Sequence, residues 1–89
     1  MPYIRREDRL PIDDVVSSLI DRIDGVGKLN YAVTTLVHHY INKNGLRYET
    51  INAAIGVLTC VLLELYRVVC SPYEDSKMEE NGVINIIRR

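Results

Sequence analysis

An all-α fold is what this sequence predicts, and three observations carry it. Apolar residues recur at three- and four-residue spacing through two successive stretches. A third, longer stretch is apolar on nearly every side. Glycine-bearing stops separate the stretches: Gly25-Val26-Gly27, Asn44-Gly45 and Asn81-Gly82. The architecture that follows is a three-helix bundle plus a short fourth helix, with an extended C-terminal tail.

Residues 1–10 are charged and read as an N-terminal arm. The first helix is expected from about Pro11, since proline suits a first helical position, where no N–H is needed. Asp13 and Asp14 favour the positive end of its dipole. Ile12, Val15, Val16, Leu19, Ile20 and Ile23 make one buried stripe, and Gly25 and Gly27 end the helix.

The second helix is expected from about Lys28 to Asn44. Leu29, Ala32, Val33, Leu36, Val37, Tyr40 and Ile41 form its apolar face, and Gly45 stops it. The third, from about Tyr48 to Cys70, contains 14 consecutive uncharged residues, Thr50 to Leu63. A helix apolar all round must be covered all round. Two companion helices in so short a chain leave part of it bare, so a second copy is the expected cover. Gly56, after Ala53 and Ala54, would permit close helix approach.

Ser71-Pro72-Tyr73-Glu74 reads as a fresh helix start, with serine as cap, proline first and glutamate three residues on. The short fourth helix is expected from Pro72 to about Glu80. Val83-Ile84-Asn85-Ile86-Ile87 then reads as an edge strand, a strand exchanged between subunits, or an apolar tail (83–89) docked on a neighbour.

The chain has 89 residues, 47% hydrophobic and 26% charged, which suits one globular domain spanning 1–89. Its net charge of -1 offers no field for a nucleic-acid backbone or an anionic membrane. The uncharged run falls short of the roughly 18 residues of a membrane span. The first residues lack the apolar run of a signal peptide. Cys60 and Cys70 lie about 15 Å apart along one helix and cannot pair there. Buried free thiols suit a cytoplasmic location.

No motif for a metal, a dinucleotide or a catalytic nucleophile is present, so no cofactor and no enzymatic activity are expected. Glu64 stands out because it follows the uncharged run. Arg67, three residues on, is placed to pair with it. Arg67 also precedes the expected helix start at Ser71, whose free N–H groups would add to an anion site, with Arg5, Arg6 or Arg88 joining from the arms. All six aromatic residues are tyrosine, so every ring carries a polar tip suited to interfaces or to stacking on a base.

Several segments resemble a known family: Met1-Pro2-Tyr3-Ile4, Glu7-Asp8-Arg9, Leu29-Asn30-Tyr31, Gly56-Val57-Leu58 with Cys60, Glu64, Tyr66-Arg67, Pro72-Tyr73-Glu74-Asp75 and Glu80-Asn81-Gly82. The pattern is similar to a family of small phage and prophage proteins of unassigned function, and it covers most of residues 1 to 82. An acidic residue is expected after Gly82, where this chain has Val83. The resemblance implies a host-directed binder, with counter-defence as the role.

The expected function is thus a non-enzymatic, homo-oligomeric binding protein that sequesters a nucleotide-like small signal. Tyr3, Arg5, Arg67 and Tyr73 are the expected ligand contacts, with Glu64 orienting Arg67. One alternative is an inhibitor or adaptor that binds a host protein through helix faces around His38, His39 and Tyr48. Another is a small helical Mg²⁺-dependent nucleotide hydrolase. That would need repeated Glu-x-x-Glu along one face, which Glu74-Asp75 and Glu79-Glu80 do not supply.

Overall fold

The computed structural model describes residues 2–87. Met1, part of the resemblance motif, and Arg88 and Arg89, the first named for the anion site, lie outside the described residues. The fold is all-α: α1 (Arg6–Ile20), α2 (Val26–Asn44), α3 (Tyr48–Leu65), a π segment (Tyr66–Cys70) and α4 (Ser71–Asn81). Among the described residues there is no strand. By Cα proximity the chain separates into two compact units, Met1–Val57 and Leu58–Arg89.

In the first unit, α1 starts five residues earlier than its proline suggests. Arg5 Nε donates to Asp8 across 3.1 Å, and Arg9 Nε donates to the Ile4 carbonyl at 2.8 Å. Glu7 and Asp8 sit in the first turn, where the dipole favours negative charge. Pro11 thus lies inside the helix, where it supplies no backbone donor. At the far end Arg22 and Ile23 form tighter turns onto Leu19 and Ile20, so α1 stops at Ile20 instead of reaching Gly25.

Gly25 is the N-cap of α2, with ordinary extended backbone, and Asp24 pairs with Lys28 at 3.0 Å over the first turn. The helix ends at Gly45, whose φ of 102° is the left-handed region that glycine tolerates. The Gly45 N–H donates to the Ile41 carbonyl at 2.8 Å, so the stop read from Asn44-Gly45 is observed.

The break expected at Pro72 takes another form. α3, the π segment and α4 run on as one 34-residue helix, Tyr48–Asn81. Proline removes one backbone donor, and its ring crowds the carbonyl four residues earlier, that of Val68. Widening the turn before it accommodates the ring without ending the helix. Ser71 N–H donates to the Tyr66 carbonyl, the five-residue step that defines the wider turn. Gly82, at φ 90°, ends α4. Val83–Ile87 then follows with no regular structure, so it is not an edge strand of this chain.

Burial departs most from the sequence reading. Among the described residues only Ala54 and Thr50 are buried. The stripe of α1, at Val15, Val16, Leu19 and Ile20, is exposed, as are Leu29, Val33, Leu36 and Tyr40 of α2. Cys60, expected to be buried, is exposed, and both thiols are free. Spacing fixes which side chains share a face, but a face is buried only where something covers it. The helix Tyr48–Asn81 is also long and apolar enough to cross a membrane, with a mean hydropathy of 1.9 over its most apolar window. It reaches that length by running past Glu64, which closes the shorter stretch counted from sequence, and on past Arg67.

Candidate functional site

Glu64 closes the uncharged run on the penultimate residue of α3, and Arg67 is the second residue of the π segment. Three residues of helical rise bring them to one side, as the spacing predicts. Arg67 Nη2 donates to Glu64 Oε2 at 3.2 Å. The two partners differ in surroundings: the Glu64 side chain is 23% exposed and the Arg67 side chain 71%. A half-covered carboxylate thus tethers a guanidinium whose planar fork still reaches into water. An arginine held by one terminal nitrogen retains donors for a second, bidentate anion contact.

The π turn has a second effect. A five-residue step carries Tyr66 round to the side of Cys70 and Glu74. The Cys70 thiol donates to Glu74 Oε1 at 3.5 Å. Partial desolvation, and then the hydrogen bond to Glu74 and its negative charge, raise the Cys70 thiol above its ordinary value. Hydrogen bonding to Glu74 and its charge, with smaller contributions from desolvation and from Cys70 and Asp75, raise the Tyr66 hydroxyl likewise. Both groups stay protonated near neutral pH. This is the reverse of an activated nucleophile, which needs a cationic neighbour.

One turn on, the Lys77 ammonium stands 5.8 Å from the centre of the Tyr73 ring, a cation–π contact, and Lys77 pairs with Glu80 at 3.3 Å. A groove of about 850 Å³ runs along this side between the helix and the tail. Tyr66, Glu74 and Asp75 line it on one side, and Val83, Ile84 and Ile87 on the other.

The residues expected to bind ligand are distributed as follows. Glu64 and Arg67 come together, and Tyr73 lies in the same compact unit but is engaged by Lys77. Tyr3 and Arg5 belong to the first unit, where Arg5 is paired with Asp8 at 3.1 Å and Glu7 at 3.6 Å. The free N–H groups expected at Ser71 do not exist, because the helix does not start there and its N–H is bonded to Tyr66. His38 lines two shallow hollows on α2, one with Tyr31 and one with His39. Among the described residues no group of three or more His, Cys, Asp or Glu is placed to hold a metal ion.

Sequence reading missed the Tyr66–Cys70–Glu74 cluster. The signal was the four-residue spacing, which reads as one face only if the helix continues through Pro72.

These features define a small all-α protein whose longest helix carries one widened turn, with the Glu64–Arg67 and Cys70–Glu74 contacts beside it. Residues 1–84 match the model of a domain of unknown function, DUF6899, and the chain belongs to that family. Comparison with curated proteins and with solved structures finds no match.

Proposed function

We propose that this is a non-enzymatic binding protein that works as a homo-oligomer and captures a nucleotide-like anion through Arg67. The Arg67 guanidinium carries the reading. It is fixed at one end by Glu64 at 3.2 Å and otherwise turned to solvent. A guanidinium so held loses less freedom when a phosphate docks than a loose one does. The abundance of exposed apolar side chains supports the oligomer, since three helices with bare apolar faces need a cover.

The resemblance to phage and prophage proteins supports a host-directed role in the host cytoplasm, with counter-defence as the purpose of capture. Two unpaired thiols fit that reducing compartment. No nucleic-acid partner belongs to this reading, since the net charge is -1.

The test is equilibrium binding of a panel of purine mono- and dinucleotides, beside mass spectrometry of any small molecule released on heating. Wild-type protein binds one of the panel. Arg67→Ala abolishes binding and leaves the oligomer intact. Binding that survives Arg67→Ala overturns the reading. Stoichiometric capture of a host protein through the His38 hollows, with no nucleotide bound, replaces it with the host-protein alternative.

A further inference from the structure

We propose that a second copy of this chain docks on one seam of α3, formed by Ile51, Ile55, Leu58, Leu62 and Leu65. The inference deepens the homo-oligomer reading and rests on it, because it assigns the surface through which copies meet.

The spacing of these five residues alternates four, three, four, three. That is the seven-residue repeat by which two helices mesh side chains along a shared line. All five lie in regular α-helix, and the seam ends at Leu65, where the π segment begins. The wider turn shifts every later residue round the axis, so Val68 and Val69 do not extend the line. All five side chains are exposed, from 37% at Ile51 to 64% at Leu62. Thr50 and Ala54, the buried pair, lie about 100° and about 60° round the helix from the seam's centre, so the covered side of α3 adjoins the seam without including any of its five residues.

Area favours a copy as occupant. At about 100 Å² of apolar surface apiece, five residues offer about 500 Å² per chain and about 1,000 Å² per pair, the scale at which specific interfaces begin. Charge placement argues against a bilayer. Glu64 lies roughly 140° round the helix from the seam's centre. Pairing along the seam leaves Glu64 and Arg67 in water. A span long enough to cross a membrane would take both into hydrocarbon, where each is costly. The residues flanking the seam, Asn52, Ala54, Thr59 and Val61, carry no charge that would repel an identical partner.

Native mass spectrometry of the full chain and two matched variants tests this. Leu62 and Leu63 are almost equally exposed, at 64% and 62%, but point about 100° apart. Wild type and Leu63→Glu assemble, whereas Leu62→Glu falls to single chains with its helical circular dichroism kept. Should Leu62→Glu lose its helicity, Leu62→Ala serves instead and weakens self-association at least about tenfold. Assembly of Leu62→Ala at wild-type strength, or equal loss from Leu62→Glu and Leu63→Glu, overturns the seam. So does flotation of wild-type single chains with phosphatidylcholine–phosphatidylglycerol vesicles. A wild-type chain that never assembles removes the oligomer reading as well, while Arg67→Ala tests ligand capture separately.

Discussion

Glu64 and Arg67 meet at 3.2 Å across the junction where α3 passes into the π segment, the carboxylate half-covered and the guanidinium in solvent. An ion pair with one partner so exposed contributes little to stability, about 0.2–1 kcal/mol. Arg67→Ala is therefore expected to lower the unfolding free energy by no more than about 1 kcal/mol while removing nucleotide capture. Denaturant unfolding beside a binding isotherm checks the split. A large loss of stability would make the pair structural.

Pro72 and Tyr66 are linked through the wide turn. Pro72→Ala restores a donor to the Val68 carbonyl and relieves the crowding, so regular α-helix should replace the π segment. Tyr66 then swings away from Glu74. Its hydroxyl, now raised by that carboxylate, should titrate nearer its ordinary value of 10.0. Tyrosinate absorbance across alkaline pH reads this, and an unmoved Tyr66 would mean that the proline does not hold the turn.

Glu74→Gln should act on Cys70. After desolvation, the hydrogen bond to Glu74 and its negative charge hold the thiol up; the amide removes the charge and leaves a weaker, neutral acceptor. Thiolate then forms at lower pH, and iodoacetamide reacts faster at Cys70 while Cys60 serves as internal control. The sign for stability follows. A thiol raised in the folded state contributes stability that is complete below its unfolded value, ordinarily 9.0, and lost as pH rises through the folded one. Glu74→Gln should therefore shift alkaline unfolding and leave neutral stability unchanged in its pH slope.

Two glycines should respond in opposite directions. Gly45 stands at φ 102° with Arg47 Nε 3.4 Å from where a Cβ would sit, so Gly45→Ala should cost about 1–2 kcal/mol. Gly56 lies inside α3 with open space around it, so Gly56→Ala should gain about 1 kcal/mol of helix stability. Gly56 also points away from the proposed seam, so assembly should survive. Loss of assembly in Gly56→Ala would place the contact on the small-residue face instead. Thermal unfolding and native mass read both.

The helices were legible because periodicity and stops are local properties. Leu29 to Ile41 share a face at helical spacing, and the positive φ at Gly45 follows from a stop written as Asn-Gly. The Glu64–Arg67 pair was legible for the same reason, being three residues apart on one helix. The continuity at Pro72 was not. Ser-Pro-Tyr-Glu carries every sign of a helix start, and whether a proline ends a helix or widens it depends on the turn before it. The Tyr66–Cys70–Glu74 face disappeared with that choice. Burial was least legible, because an apolar stripe such as Val15 to Ile20 names a face without saying what meets it.

The central claim is that the bare apolar surface of these helices is met by further copies of the chain. Sedimentation equilibrium of the intact protein tests it most directly. The account predicts a particle whose mass is a whole multiple of 10.2 kDa and falls on dilution. A single 10.2 kDa species at every concentration, with helicity intact, would contradict it.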